Sequence, residues 1–435
     1  MASALQRVLV LNAGSSSLKY RLFRVDAGRT VGGVLASGAA TGIGDTAAGV
    51  LDADGVTVPL PAGAREGDGH SVALKAVMAR LGPALGTPAP GPVAAGALGA
   101  GSALAVGHRV VHGGSGLTRA SILTPSVIDA IRGASALAPL HNPANLAGIA
   151  AATAATGSGV PHVAVFDTAF HATLPAAAYT YALPVELAAA HGVRRYGFHG
   201  TSYAWAARHL PPAVGVPLEA LNAVVMHLGA GASAAVLRHG ASVDTSMGLT
   251  PGEGLIMATR AGDIDAGVVT YLQRHLGMTA ADVDDLLTRQ SGLVGLTGTP
   301  DMRAVLSAVD AGDAAARLAL DAYVHRVRRY LGAYLVELGG NAHVLAFTAG
   351  VGEGSPRIRA AVCDGLEGLG IVLDAEANEA ASTAAAATQI VTPISAAASR
   401  IRVVVVRTDE EREIATQVLE VLREGTKPLD AAAGG

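Results

Sequence analysis

Five stretches of the chain are almost entirely apolar and are too continuous for strands with one exposed face. They span residues 8–12, 162–167, 223–229, 343–350 and 402–409. Such runs are typical of central strands in a sheet that is covered on both faces. The pattern therefore predicts an α/β fold.

Each apolar run ends in glycine or in a polar or charged residue. In open α/β sheets, ligands collect beyond the carboxyl ends of the strands, so we expect these endings to converge on one cleft. Apolar residues three and four apart lie between the runs, for example at 71–81 and 315–338, and predict helices there.

A similarity between two segments of the chain indicates an internal duplication. Residues 8–23, VLVLNAGSSSLKYRLF, resemble residues 224–240, VVMHLGAGASAAVLRHG, because both read as buried strand, small-residue turn and second strand. Two such turns, each near the front of one half, suggest duplicated domains that face a shared ligand. Residues 26–105 are rich in Ala, Gly and Pro and predict sheet periphery and loops.

Composition narrows the class of protein. A chain of 435 residues is long enough for two domains, and a net charge of −4 argues against a basic nucleic-acid-binding face. The single cysteine, Cys363, cannot form an intramolecular disulfide. The N-terminus lacks the layout of a signal peptide, and the uncharged segment 133–166 is too rich in small and polar residues for a membrane span. We therefore expect a soluble cytoplasmic protein with neither nucleic-acid nor membrane partners.

The turn after the first apolar run offers small-residue backbone N–H groups, three hydroxyls and the ammonium of Lys19. Such a turn suits a polyanion, because N–H donors form an anion-binding nest and lysine adds a compact charge. It is not a Walker A loop, since no Gly-Lys-Ser/Thr occurs in the chain. An ordinary hairpin with a solvated lysine is the alternative.

Other candidate residues stand in small-residue or apolar surroundings. They are Arg109, His141, Asp167 and His199, together with Arg260 in a segment that also holds Glu253, Asp263 and Asp265. Residues 348–359, TAGVGEGSPRIR, predict a Gly-rich turn that leads into a helix, a common phosphate seat.

Each of these features also has a structural interpretation. A histidine is often hydrogen-bonded in a core, a strand-end Asp often caps a helix, and the acidic run 409–411 suits a solvated helix start. In combination, two arginines, two histidines, a strand-end Asp and a carboxylate beside a phosphate-type turn indicate phosphoryl transfer, in which positioning and cations do most of the work.

These segments resemble the acetate kinases. The resemblance rests on NAGSSSLKY, GHRVVHGG, APLHNPANL, VFDTAFH, YGFHGTSY, DTSMGLTPGEGL with TRAGDID, and DMR, which run in family order over nearly the whole chain. It implies a duplicated actin-like (ribonuclease H-like) two-domain α/β fold with a central interdomain cleft. It also implies reversible transfer of the ATP γ-phosphoryl group to acetate, giving acetyl phosphate and ADP, with Mg²⁺ or Mn²⁺, by a homodimer.

The resemblance implies a role for each matching residue on the acetate side. Asp167, His199, Arg260 and His141 are the catalytic candidates. Asp167 matches an acid/base position, but we interpret it as an orienting and electrostatic group, because a carboxylate acceptor has no proton to remove. Arg109 and Arg260 would hold the acetate carboxylate and the migrating phosphoryl. The matches to the methyl pocket are Val111, Leu140, Phe198 and Pro251.

The metal and nucleotide side follows in the same way. Asn12 and Glu410 would hold the metal ion, and Ser15, Ser17 and Lys19 would contact the donor phosphates. The remaining nucleotide segments are His227, Leu228, Gly229, Ala230 and Gly231; Asp301, Met302 and Arg303; and Gly350, Val351, Gly352, Glu353 and Gly354.

The expected domains are residues 1–167, completed by the C-terminal helix at 409–435, and residues 168–408, which bind the nucleotide. Joints near Asp167 and Thr408 suggest a hinge that closes over the cleft and excludes water.

Three motifs depart from the family pattern. HLGNG reads HLGAG, GENSP reads GEGSP, and PTNEE reads RTDEE, so Ala230 and Gly354 replace asparagines of the nucleotide side. The donor is therefore open between ATP, another nucleotide and pyrophosphate, with ATP favoured. The sequence is also compatible with a propionate kinase, with an actin-like ATPase module without acyl acceptor, and with a silent paralogue.

Overall fold

The computed structural model describes residues 5–14, 17–26, 30–43, 50–53, 56–59, 69–81, 104–157, 159–383 and 385–424. The chain divides into two compact units, of which the first comprises residues 1–169 and 409–435 and the second comprises residues 170–408.

The strands are numbered along the chain. They are β1 (Arg7–Ala13), β2 (Ser17–Asp26), β3 (Thr30–Thr41), β4 (Val50–Ala53), β5 (Val56–Pro59), β6 (Leu104–Val110), β7 (Ser121–Ile122), β8 (His162–Phe166), β9 (Ala223–Leu228), β10 (Ala232–Arg238), β11 (Ala241–Thr245), β12 (Val344–Thr348), β13 (Val391–Pro393) and β14 (Arg402–Val406).

The helices are numbered in the same way. They are α1 (Gly69–Leu81), α2 (Pro125–Gly133), α3 (Asn142–Thr156), α4 (Ala176–Tyr179), α5 (Val185–His191), α6 (Gly200–Val214), α7 (Ala266–Leu276), α8 (Ala280–Arg289), α9 (Gly292–Thr297), α10 (Met302–Asp310), α11 (Ala314–Glu337), α12 (Ala349–Gly354), α13 (Pro356–Cys363), α14 (Ala375–Ala380) and α15 (Glu410–Glu424).

The two sheets repeat one topology. The first has the order β5-β4-β3-β2-β1-β6-β8-β7 and the second has the order β11-β10-β9-β12-β14-β13. In both, a hairpin (β1–β2 or β9–β10) pairs through its first strand with a parallel strand, which pairs with another parallel strand. A short antiparallel strand closes that edge in each. The duplicated α/β fold predicted from the internal similarity of the sequence is confirmed.

The central strands are covered on both faces, as the apolar runs predict. One face of the first sheet packs with α1 and α3 in a core that includes Leu9 and Leu74. Its other face packs against α15, where Ile414 and Val418 join Val8.

Gly107 on β6 explains why α15 fits so closely. A Cβ at this position would lie 2.8 Å from a methyl group of Val418 and 3.0 Å from one of Ile414. A glycine is therefore required where the C-terminal helix crosses the strand.

The five apolar runs are confirmed as β1, β8, β9, β12 and β14, and the two helical patterns as α1 and α11. Residues 133–166 form mainly α3 and β8, with each strand residue buried. Within the described part of the chain, no helix has the length and apolar character needed to cross a membrane.

Candidate functional site

Arg109 and Asp167 form a nearly buried ion pair at the carboxyl ends of β6 and β8. The guanidinium donates from Nε to Oδ1 at 3.0 Å and from Nη2 to Oδ2 at 2.5 Å. The side chain of Asp167 is only 2% exposed, whereas that of Arg109 is 22% exposed. The fork–fork geometry fixes the guanidinium plane and leaves part of it accessible.

Burial raises the pKa of Asp167 to about 6, although the charge of Arg109 acts in the opposite direction. The Glu410 carboxylate adds to the increase. For Arg109, burial lowers the pKa, but the charges of Asp167 and Glu410 outweigh burial and raise it. Arg109 is therefore a permanent cation, and Asp167 is a carboxylate that titrates near neutrality.

The two candidate metal ligands, Asn12 and Glu410, lie near the Arg109–Asp167 ion pair. Asn12 lies near the end of β1, and its Oδ1 is 3.4 Å from Arg109 Nη1. Glu410 begins α15, the helix start predicted for the acidic run. Within the described residues, no group of three or more His, Cys, Asp and Glu side chains is arranged to hold a metal ion.

This sparse set of oxygens suits Mg²⁺, which usually keeps several waters and takes one or two protein oxygens besides the phosphates of a substrate. Asn12 supplies an amide oxygen and Glu410 a half-buried carboxylate. The donors fit the implied metal.

The segment after α2 is docked on the strand ends by two asparagines. Asn145 accepts from Val111 N at 3.0 Å and donates to Ala13 O at 2.6 Å. Asn142 exchanges bonds of 3.1 and 2.9 Å with the backbone of His112. These contacts place Leu140 and His141, the candidates of this segment, in the first unit close to Val111, the candidate that directly follows β6.

The degree of burial differs among these candidates. Val111 is buried and His141 is half-buried at the start of α3. Leu140 is 46% exposed, unlike the usual wall of a small apolar pocket. Its role in a methyl pocket stays a prediction.

The opening turn is a hairpin, which was the alternative interpretation of this stretch. Lys19 pairs across the ladder with Asn12 and is exposed, while Ser17 is half-buried at the start of β2. Ser15 lies outside the described residues. Lys19 is thus held opposite a candidate metal ligand, in a position compatible with a phosphate contact.

In the second unit, His199 is the N-cap residue that precedes α6, and its backbone is left-handed, with φ 57°. This conformation is costly for a residue with a side chain and is concentrated at functional sites. Its Nδ1 lies 2.8 Å from Ser233 Oγ, which lies 2.6 Å from the hydroxyl of Tyr203. If Tyr203 donates to Ser233 and Ser233 donates to Nδ1, the ring proton resides on Nε2 and can be donated.

His227 stacks on His199, with ring centroids 4.0 Å apart. Its Nδ1 lies 2.8 Å from Ser202 Oγ, and Ser202 Oγ is 3.2 Å from Thr408 Oγ1. In both histidines Nδ1 is hydrogen-bonded to a serine hydroxyl, which fixes the orientation of the ring and the direction in which Nε2 points.

The turn Gly229–Gly231 lies against these rings and Arg260. A Cβ at Gly231 would be 3.3 Å from His199 Nε2 and 3.6 Å from Arg260 Nη1. The absence of a side chain at Gly231 keeps the two donors accessible beside a backbone turn. Leu228 ends β9 fully buried, and Ala230 is exposed, with its carbonyl accepting from Ala258 N at 3.0 Å.

Arg260 donates from Nη1 to Pro251 O at 3.0 Å and contacts Met257 Sδ at 3.6 Å. It forms no ion pair with any described residue, and burial lowers its pKa. A desolvated guanidinium without a carboxylate is suited to bind an anion. Phe198, also predicted here, is buried directly before His199.

The loop that carries Pro251 and Arg260 is anchored by Glu253, a candidate for which the sequence predicted no structural role. Tyr181 donates to its Oε2 and Arg195 to its Oε1, both at 2.5 Å. Arg195 also donates to backbone carbonyls at the end of β11 and just beyond it. This network is half-buried and positions the loop.

The Gly-rich turn predicted within residues 348–359 is wrong, because Ala349–Gly354 form α12, but the helix predicted to follow it is confirmed as α13. The helix begins at Ala349, which has φ 64°. Buried Arg359 donates to the carbonyls of Gly352 and Glu353, both at 2.8 Å, and satisfies the end of a helix that glycines alone would not favour. Gly350, Val351 and Gly354 are at least partly accessible on it.

Glu353 has a backbone-linking role. Its Oε1 accepts from Ala349 N at 3.0 Å and from Thr408 N at 3.1 Å, so it joins the ends of β12 and β14.

Asp301 caps α10, accepting from Arg303 N at 2.9 Å, and pairs with the highly exposed Arg303 side chain. Met302 is buried. Nucleotide contacts for these residues stay predictions.

Sequence reasoning missed Ser202, Tyr203 and Ser233, which orient the two histidines. Tyr203 lies one helical turn after His199, and Ser233 pairs with His227 across the β9–β10 ladder. Both spacings are visible in the sequence once the helix and hairpin are assumed. The signal was a polar residue at a buried register position.

Comparisons with known proteins find one family over nearly the whole chain. Residues 7–416 match the acetokinase family. An acetate kinase of Clavibacter michiganensis subsp. michiganensis is 47% identical over 418 residues, covering 95% of this chain and 98% of the relative. One of Streptomyces griseus subsp. griseus is 46% identical over 422 residues, covering 96% of each.

Solved structures show the same likeness. The acetate kinase of Porphyromonas gingivalis is 38% identical with a TM-score of 0.84, covering 96% of this chain and 100% of that one. A propionate kinase from Francisella tularensis subsp. tularensis is 33% identical with a TM-score of 0.82, covering 95% and 98%.

Proposed function

The chain belongs to the acetokinase family, and from this premise we propose that it transfers the γ-phosphoryl group of ATP to acetate, reversibly, giving acetyl phosphate and ADP. The observation that supports this most is Arg260, a desolvated guanidinium without an ion pair among the described residues, beside His199 Nε2 and the Gly229–Gly231 turn.

The reaction requires little covalent chemistry from the protein. An acetate oxygen is already a nucleophile, so the main barrier is repulsion between two anions. Arg109 and Arg260 hold the acetate carboxylate and the migrating phosphoryl group, and their planar forks match oxyanion geometry. His199 donates from Nε2 to the transferring group. Asp167 keeps Arg109 oriented and takes no proton from acetate.

The metal ion has a supporting place in this scheme. Asn12 and Glu410 would hold Mg²⁺, with Mn²⁺ as the alternative, and the ion would neutralise charge on the donor phosphates. Ser15, Ser17 and Lys19 contact those phosphates. The segments at 227–231, 301–303 and 350–354 bind the nucleotide.

The replacement of two asparagines on the nucleotide side makes the identity of the phosphoryl donor a question for experiment. Ala230 and Gly354 are exposed positions that lack the amide donors and acceptors of the family pattern. Initial rates with ATP and with pyrophosphate, each at saturating acetate, decide between them. A pyrophosphate rate above the ATP rate would overturn the choice of ATP.

Acetate and propionate are separated by one methylene, worth only about 1–3 kcal/mol of discrimination in an apolar pocket. Solved relatives include both an acetate and a propionate kinase. We propose acetate as the preferred acceptor. A larger kcat/KM for propionate in the same assay would reassign the substrate while leaving the reaction class intact.

A homodimer and a cytoplasmic location complete the proposal. The apolar side chains of Val185 on α5 and of Tyr271 and Leu276 on α7 are 80%, 57% and 62% exposed, which favours cover by a second copy. Light scattering measures the mass of the particle in solution and so tests the homodimer directly.

The cytoplasmic location is compatible with the buried thiol of Cys363, whose pKa burial raises to about 12.

A further inference from the structure

A second group of cationic side chains lies at the opposite ends of the strands in the second unit. A cavity of about 320 Å³ has Asn341, His343, Arg400 and Arg402 in its polar lining and Val214 and Val216 in its apolar lining. Arg402 is the first residue of β14 and pairs with Val344, the first residue of β12. The cavity is therefore at the amino ends, roughly 15 Å along the strands from the ends that carry the candidate site.

Two guanidinium groups of this cavity have uncompensated charge. Arg400 donates to Gly340 O at 2.9 Å and to Leu369 O at 2.8 Å, so neutral carbonyls hold its position. Arg402 is exposed. Within the described part of the chain, neither arginine forms an ion pair, and the cavity lining includes no Asp or Glu.

His343 adds an oriented donor. Its Nδ1 accepts from Asn222 N at 3.0 Å, so the neutral ring carries its proton on Nε2. Asn222 in turn donates from Nδ2 to Asn341 O at 3.2 Å. The backbone of Asn222 thus fixes the ring of His343, and its side chain fixes the segment that bears Asn341. The polar lining is preorganised before any ligand binds.

We propose that this cavity is a binding site for a small anion that carries two or more negatively charged oxygens. Guanidinium forks bind phosphate or carboxylate through paired hydrogen bonds, and a histidine N–H and an amide complete the donor set. The volume lies at the lower end of the range for small-molecule sites, and the two valines accommodate a short carbon skeleton. Inorganic phosphate and a dicarboxylate share this chemistry.

The site uses none of the residues assigned to phosphoryl transfer, so the two proposals stand independently. Isothermal titration of the full-length protein with inorganic phosphate and, separately, with succinate tests the cavity and distinguishes the two anion classes. The variant is Arg402→Gln, and the matched control is Arg329→Gln, another exposed arginine that forms no ion pair among the described residues.

At least one of the two anions should bind the wild-type protein saturably. Arg402→Gln should weaken that binding about tenfold or more, because a charged hydrogen-bonding partner is lost, and Arg329→Gln should leave it unchanged. No saturable binding of either anion, or equal affinity in Arg402→Gln, would overturn the proposal. Crystals grown with the tighter anion provide a second measurement: density beside Arg400 and Arg402 supports the site, and density only elsewhere refutes it.

Discussion

Arg109 holds Asp167 through two parallel hydrogen bonds, while its remaining nitrogen, Nη1, lies 3.4 Å from Asn12 Oδ1. One guanidinium therefore links a buried carboxylate to a candidate metal ligand. The orientation of Arg109 depends on the negative charge of Asp167, since the pair is largely removed from water.

Replacing Asp167 by Asn keeps the shape and removes the charge. We expect kcat/KM for acetate to fall roughly 100-fold, because Arg109 loses the partner that aligns it with an oxyanion. Steady-state kinetics with varied acetate measure this. Asp129→Asn, which breaks an exposed pair with Arg132, is the control and should leave the kinetics unchanged. Activity within twofold of wild type in Asp167→Asn would contradict the role.

The acid limb of the pH profile reports the same carboxylate. With a pKa of about 6 in the folded protein and an ordinary value of 3.8, Asp167 becomes protonated as pH falls through 6, so kcat/KM should decline there. The pH dependence of stability has the opposite sign: the folded state binds this proton more tightly, so this group's contribution to the free energy of unfolding is fully present below about pH 4 and is lost as pH rises to about 6. Asp167→Asn should remove the acid limb near pH 6. Its persistence in that variant would assign it to another group.

Ser233→Ala tests how His199 is oriented. Losing the bond to Nδ1 frees the ring to change tautomer, and we expect kcat to fall roughly tenfold. The KM for ATP should change little. Thr383→Ala removes an exposed hydroxyl of the same unit and serves as the control. An unchanged kcat in Ser233→Ala would show that the serine does not position the ring.

Gly231→Ala tests the close approach of donors to the turn. The new methyl would lie 3.3 Å from His199 Nε2 and 3.6 Å from Arg260 Nη1, where it obstructs a phosphoryl group. We expect at least a tenfold loss of kcat/KM for both substrates, with a melting temperature close to wild type. Gly332→Ala, which meets open space in α11, is the matched control and should retain full activity. Full activity in Gly231→Ala would place the transfer elsewhere.

The parts of the fold that depend on continuous apolar patterning followed from the sequence. The runs at 8–12 and 343–350 could be assigned to strands because fully buried strands tolerate few polar residues. The duplication was visible because the hairpin with its small-residue turn occurs twice. The turn predicted within residues 348–359 was misassigned, because the support of α12 comes from Arg359, a residue whose contacts only the tertiary structure reveals.

The candidate site also contains residues that the sequence predicted and residues whose roles only the structure reveals. Arg109 and Asp167 stood out as charges within apolar runs, and their pairing follows from adjacent strands. Ser233 was not predicted, and Glu253 was a candidate whose anchoring role was not predicted, because a serine after a glycine turn and a glutamate in a loop do not reveal their partners locally. The replacement of an asparagine by Asp409 has a local explanation: its side chain accepts from Arg412 N at 3.1 Å at the start of α15, a role that Asn and Asp share.

The most direct test of phosphoryl transfer to acetate follows acetyl phosphate formation from ATP and acetate by ³¹P NMR, in wild type and in Arg260→Ala. We expect acetate-dependent acetyl phosphate in wild type and a loss of roughly 2–4 kcal/mol of transition-state stabilisation in the variant. ADP formation at the same rate with and without acetate, as in an actin-like ATPase module, would contradict it. So would near-normal acetate turnover in Arg260→Ala.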